Sequence, residues 1–263
     1  MRKTILTVLA ALLTLCYTQE VFAWGGNSHT TVTVIAERHL TPKAKAKVEQ
    51  YLNHTLPFYA IWMDQIRYSD PYRPTGKWHS NWWDADGALD VNNEKCAAYQ
   101  VERIRKEMKN YKKLSDSMVR LNLMYLIHLV ADMHCPSHNY WDKKAFPQYR
   151  YNLTNKKGKK VSYHSYWDNA LNYGRRKMNA EQYADYIDKA TPKEYKEIVK
   201  GTAYRWANSS LPNFLRTFEL TPKGSNVDAY SKAKRIEIRT VCDEEAMKAG
   251  YRLAHVLNTI FKK

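Results

Sequence analysis

One stretch restricts the fold of this chain more than any other: His128-Leu-Val-Ala-Asp132-Met-His134-Cys-Pro-Ser-His138, echoed by His164-Ser-Tyr-Trp-Asp168. In each segment a histidine precedes an aspartate by four residues. On an α-helix, side chains so spaced share one face, a turn apart. Leu121, Met124 and Tyr125 continue the same stripe upstream, which predicts a helix running into Asp132. Pro136 stops that helix and lets His138 turn back toward the same pocket. His128, Asp132, His138, His164 and Asp168 can therefore converge on one place. Neutral imidazole nitrogen and carboxylate oxygen on rigid elements are the donors that zinc takes. A single pair is also what a satisfied buried histidine beside an aspartate looks like. Two pairs around a third histidine favour a metal.

Helical periodicity runs through most of the rest. The pattern predicts helices over Ser28 to Leu40, Lys43 to Asn53, Ala60 to Tyr68, Glu94 to Tyr111 and Ser115 to Met133. Thr41-Pro42 marks one start, with threonine as cap and proline at the first helical position. Asn179 caps a further helix, and the capping box Thr191-Pro-Lys-Glu194 opens one expected to reach about Ser209. Residues 228–262 read as a long helical end, as one helix or two. Residues 69–93 hold Pro71, Pro74, Gly76 and Gly87 and read as a long irregular loop, a length that usually serves function. Residues 139–163 are polar and basic, and Lys156-Lys-Gly-Lys-Lys160 reads as the solvated tip of a hairpin. Strand signals are few and there is no repeat or linker. The expected fold is all-α, a bundle of one domain over residues 24–263 with long loops at its site.

Residues 1–23 read as a secretory signal: Arg2 and Lys3, an apolar stretch from Ile5 to Cys16, then the small-residue cleavage site Val21-Phe-Ala23. Lipoprotein processing before Cys16 is the rival, and Leu15 fits it poorly. Cleavage after Ala23 makes Trp24 the first residue of an exported protein, periplasmic or secreted. No later run is long and apolar enough to span a bilayer. The formal charge of +16 suits a polyanionic partner such as nucleic acid, and equally a solvated basic surface. After processing only Cys96, Cys135 and Cys242 remain, enough for one disulfide at most. Cys135 lies among the supposed ligands, where packing is the simpler role for it.

Further candidates lie upstream: Trp24 and His29, then Asp64 and Arg67 in Trp62-Met-Asp64-Gln-Ile-Arg67, then His79 beside Trp78, Trp82 and Trp83. His39, His54, His134 and His255 stand outside the pattern and read as surface or packing residues. As an ordered set, these motifs resemble those of the zinc-dependent S1/P1 nucleases, from Trp24 to about Phe261, with Leu40-Thr-Pro-Lys-Ala44 and Ala249-Gly-Tyr-Arg-Leu-Ala254 included. The resemblance implies an all-α fold and three zinc ions in a cleft. By motif, one ion would take Asp64, His79, His128 and Asp132, and a second His138, His164 and Asp168. The third would take the amino nitrogen and carbonyl of Trp24, then His29, with Asp132 bridging. An α-amine ligates only once freed and deprotonated, so processing would matter. The sequence departs from the family at Ser28 and Ala131, where glycine is usual, and at Cys135-Pro-Ser-His138 in place of Gln-Pro-Leu-His. It also has Ser80 and Trp82 where fungal members carry base-binding residues.

The resemblance implies hydrolysis of single-stranded DNA and RNA to 5′-nucleotides and removal of 3′-phosphate from nucleotides, with Asp64 and Asp132 among the residues that organise the reaction. Metal ions can activate water and neutralise charge on the phosphate, so no side-chain base is needed. Arg67, at i+3 from Asp64, can hold a phosphate oxygen or serve as an ion pair. Trp82, Trp83 and Tyr140 can stack an unpaired base or pack the loop. A zinc phospholipase C is the alternative enzyme; its spacing from terminal tryptophan to first histidine is longer and its last ligand is glutamate. An exported zinc-binding structural protein is the non-enzymatic alternative. No stable protein partner and no membrane association are implied, and a monomer is expected.

Overall fold

The computed structural model describes residues 25–146, 149–170 and 178–262. Among the described residues ten α-helices dominate, and the all-α expectation holds. In chain order the first five are α1 (Gly26–Arg38), α2 (Pro42–Leu52), α3 (Trp62–Ile66), α4 (Ala97–Met108) and α5 (Asp116–Asp132). They are followed by α6 (Tyr163–Asp168), α7 (Ala180–Ile187), α8 (Pro192–Ile198), α9 (Ala203–Leu220) and α10 (Lys232–Ile260).

Caps place most boundaries. The Ser115 hydroxyl accepts from the Met118 amide and starts α5, while Asn179 and Thr191 each close a full capping box. The helix expected from Thr191 to about Ser209 is two. Gly201 takes φ +104, a left-handed conformation open to glycine, and Thr202 caps a fresh helix by accepting from the Arg205 amide. The C-terminal segment is one continuous helix of 29 residues.

α5 is the central rod. Every residue from Asn122 to Asp132 is buried, so its polar members must find partners inside the protein. α1 packs against α10 so closely that a Cβ on Gly250 would lie 2.6 Å from the Cβ of Ile35. Beneath the site, Arg252 donates to His134 Nε2 at 2.6 Å and to the Ser209 hydroxyl, which makes His134 a packing residue. Cys96, Cys135 and Cys242 are all buried free thiols, so the disulfide that three cysteines would allow is not made.

Residues 69–93 are less irregular than expected. Strand β1 (Asn81–Trp83) pairs in parallel with β2 (Asn139–Trp141), in the register Asn81↔Asn139, Trp82↔Tyr140, Trp83↔Trp141. The Asn81 amide donates to the His138 carbonyl at 2.9 Å, and the Asn81 side chain reaches the Met133 carbonyl. This short ladder brings the loop that holds His79 against the segment that holds His138. A second ladder, β3 (Asn152–Thr154) with β4 (Lys160–Ser162), forms the expected hairpin, turning at Gly158.

Candidate metal centre

Four histidines meet at Asp132, the fully buried last residue of α5. His29 on α1 places Nε2 3.2 Å from Asp132 Oδ1, and His138 places Nδ1 2.9 Å from the same oxygen. On Oδ2, His79 Nδ1 stands at 2.7 Å and His128 Nε2 at 3.0 Å. Asp64 on α3 approaches from the far side, its Oδ1 3.7 Å from both His79 Nδ1 and His128 Nε2. His138 also faces Asp168 Oδ1 through Nε2 at 3.3 Å, and His164 Nε2 lies 3.1 Å from Asp168 Oδ2. Of the nine ligands expected from the sequence, eight therefore form one continuous cluster. The ninth, Trp24, lies outside the described residues, as does the signal segment. The chain just after it is fixed beside the cluster, because the Gly25 amide donates to the Asp168 carbonyl at 2.9 Å.

Hydrogen bonding alone does not account for this cluster. His128 Nδ1 lies 2.8 Å from the Ala60 carbonyl, which can only accept, so Nδ1 carries a hydrogen. Nε2 points at a carboxylate oxygen and at His79 Nδ1, 3.1 Å away, so a second hydrogen or a metal ion must sit on it. His164 repeats the arrangement: Nδ1 faces the Ser137 carbonyl at 3.2 Å, and Nε2 faces Asp168. Both ring nitrogens of His138, with Asp64 Oδ2 and Asp168 Oδ2, are buried without a hydrogen bond. Lone pairs converging in a buried site repel unless a cation sits among them. Backbone carbonyls that fix histidine tautomers are the usual outer support of metal ligands. The residues fit a metal, and three groups could hold one: His29, His128 and Asp132; Asp64, His79 and His128; Cys135, His138 and Asp168.

The electrostatics agree at two histidines, whereas burial holds His79 below its ordinary value despite Asp132. Burial opposes charge on His128, yet the carboxylates of Asp132 and Asp64 push its pKa up to about 9. His138 is raised in the same way, with Asp132 and Asp168 overcoming burial. Burial would raise Asp132 and Asp168, but the histidines around them hold both below the usual carboxylate range. The pocket attracts positive charge, and a metal cation would meet that attraction.

Around the cluster opens a cleft of about 590 Å³ whose wall includes Arg67, His79, His138, Tyr140, Arg150 and His164. Arg67 Nη1 pairs with Asp64 Oδ1 at 3.1 Å, while its Nε is buried without a partner. Arg67 thus makes the ion pair considered for it, from a position in the cleft wall. Trp82 stacks on Tyr140 with centroids 4.3 Å apart, and Tyr140 is exposed in the cleft. Trp83 does not suit the base-stacking role considered for it. It is 2% exposed, stacks on Trp141 and donates its Nε1 to Asn139. Alternation along β1 turns Trp82 and Trp83 to opposite faces.

A model of the S1/P1 nuclease family matches residues 24–262, and this match covers nearly the whole chain. The chain belongs to the S1/P1 nuclease family. It is also similar to Nuclease PA3 from Penicillium sp, 24% identical over 279 residues that cover 90% of this chain and 97% of that protein. This S1/P1 nuclease is thus a hydrolase acting on nucleic acid, and the family's metal dependence matches the histidine–aspartate clusters at Asp132. Sequence reasoning missed the supports of these ligands. Ser137 donates its hydroxyl to Asp168 Oδ1 at 2.5 Å, and the Cys135 thiol reaches the same oxygen at 3.4 Å. No pattern in the sequence singles out Ser137; only the turn after α5 brings it to Asp168.

Proposed function

We propose that this S1/P1 nuclease hydrolyses single-stranded DNA and RNA to 5′-mononucleotides and removes the phosphate of 3′-nucleotides. It does so as an exported monomer, one domain from residue 24 onward, with three zinc ions. The observation that carries the reading is Asp132, one carboxylate whose two oxygens face four imidazoles within 3.2 Å. Such a carboxylate is suited to bridging ions. Asp64, His79 and His128 would complete the site on Oδ2, and His29 with the terminus at Trp24 the site on Oδ1. His138, His164 and Asp168 would hold the ion nearest the cleft, because His164 is the most open of the three. Zinc, when bound, supplies an activated water and charge neutralisation on the phosphate.

The chain's own residues then bind and orient the substrate. Arg67 keeps Nη1 on Asp64 and, from the cleft wall, can turn the exposed part of its guanidinium to a phosphate oxygen. The Trp82–Tyr140 stack presents an aromatic edge beside His138 on which an unpaired base can lie. A base inside a duplex cannot reach that surface, so paired strands are cut more slowly. The family match begins at residue 24, which supports cleavage after Ala23, and among the described residues no helix is long and apolar enough to cross a membrane.

The test is a side-by-side assay of the zinc-loaded protein, with metal content measured, on single-stranded DNA, RNA, duplex DNA, 3′-AMP and phosphatidylcholine. Single strands should be cleaved fastest and 3′-AMP dephosphorylated. Phosphocholine release without cleavage of nucleic acid would replace the reading with a phospholipase C. A fully loaded protein inactive on every substrate would point to a structural metal site.

A further inference from the structure

The cleft wall continues into the β3–β4 hairpin. Asn152 and Ser162, paired in register at its base, both line the cleft. Arg150, two residues earlier, lies in the same wall with its guanidinium 4.8 Å over the Tyr140 ring. From this base the hairpin leads away for about 13 Å by Lys156, at about 3.3 Å per residue. Its turn carries Lys156, Lys157, Lys159 and Lys160, all exposed.

The hairpin is held firmly. Leu153 is fully buried beneath it. The Thr154 amide donates to the Ser225 carbonyl at 2.9 Å, and the Gly224 amide returns a bond to the Asn152 carbonyl. At the turn, the Asn155 carboxamide accepts from the amides of Lys157 and Lys159, each at 3.0 Å. Asp228, the acid nearest the turn, spends Oδ2 on the Lys156 backbone amide. Among the described residues, none of the four lysine ammonium groups pairs with a carboxylate within 4.0 Å. A tethered arm with four unpaired cations therefore extends from the cleft wall.

We propose that this arm binds the sugar–phosphate backbone of a single-stranded nucleic acid, holding the phosphates beyond the nucleotide seated in the cleft. The inference rests on the single-strand reading above. Each lysine is a point charge on a flexible stem, suited to a phosphate backbone of any sequence. The arm thus separates polymers from short substrates: only a strand long enough to leave the cleft gains from it.

The experiment compares wild type with a variant in which Lys156, Lys157, Lys159 and Lys160 are all replaced by Gln, and a second in which all four become Arg. Binding of nuclease-resistant phosphorothioate oligothymidylates, two and fifteen nucleotides long, is measured on the zinc-loaded proteins across a salt series. Dinucleotide hydrolysis is followed in parallel. The Gln variant should bind the fifteen-mer at least about tenfold more weakly at low salt. Its slope of log affinity against log salt should be shallower by about 3 if all four lysines meet a phosphate, since each single-strand phosphate contact contributes about 0.7. Two-mer binding and dinucleotide hydrolysis should be unchanged, and the Arg variant should behave as wild type. An unchanged fifteen-mer slope, or equal weakening of both lengths, would overturn the arm. If wild type cut duplex as fast as single strands while the fifteen-mer result held, the single-strand preference would fail and the arm would stand.

Discussion

Gly250→Ala tests the packing that sets the position of His29. Gly250 sits inside α10 against α1, and the added methyl would meet Ile35 Cβ and Cγ2 at 2.6 Å and the Val32 carbonyl at 3.1 Å. Two effects oppose each other. Replacing glycine by alanine inside a helix stabilises by up to about 1 kcal/mol through chain entropy. Overpacking a filled interface costs about 1–3 kcal/mol. The atoms contacted decide the sign: a Cβ and a carbonyl move only with their backbone, so relief requires α1 itself to shift. A net destabilisation of about 1–2 kcal/mol follows, close to a fall of 2–8 °C in Tm at 2–4 °C per kcal/mol for a chain of this size. Because α1 carries His29, the shift should also loosen metal binding. The assay is denaturant unfolding at fixed zinc concentration, with metal content of the folded protein measured alongside. Ile35→Ala removes Cγ2, so the double variant should lose less than the sum of the two single losses. A Gly250→Ala protein more stable than wild type, or strict additivity with Ile35→Ala, would refute the argument.

Asp132→Asn should lose bound metal and nearly all nuclease activity, because it keeps the shape while removing the charge shared by four histidines; retention of full metal content would reject Asp132 as the bridge. Ser137→Ala should weaken metal binding by about tenfold, the lower end of the range for outer-shell partners, as read by chelator competition. Cys135→Ala should cost less, since its thiol is a weaker donor at a longer distance, and the reverse order would show that Asp168 is held by other means. A protein with one glycine left ahead of Trp24 should carry less zinc and cleave more slowly than one beginning at Trp24; equal zinc content and activity would exclude the terminus as a ligand.

The candidate metal cluster was legible because its two His-x-x-x-Asp pairs are local: helix geometry puts each pair on one face, and Pro136 ends the helix before His138. Caps at Thr41, Asn179 and Thr191 were legible for the same reason. What escaped depends on distant neighbours. The pairing of β1 with β2 joins segments 58 residues apart, and three-residue strands carry too little alternation to announce it. Trp82 and Trp83 look equivalent in sequence, yet that pairing puts one beside the cleft and buries the other. Gly201 sits between two segments that both read as helix, and its left-handed backbone is visible only in the folded chain. Ser137 and the Ala60 carbonyl become supports of ligands only when α6 and α5 arrive beside them.

The close packing of α1 on α10 also bears on the order of events during synthesis. His29 leaves the ribosome early, but the helix that seats it is the last to emerge. A chain still lacking residues 232–260 has the histidines and aspartates of the cluster but lacks the most extensive of the surfaces against which α1 docks. The loops to be closed span almost the whole chain, which slows that docking step. Seating of His29 therefore waits for residues 232–260. Without α1 in place Asp132 has one imidazole fewer beside Oδ1, so completion of the centre follows synthesis of α10.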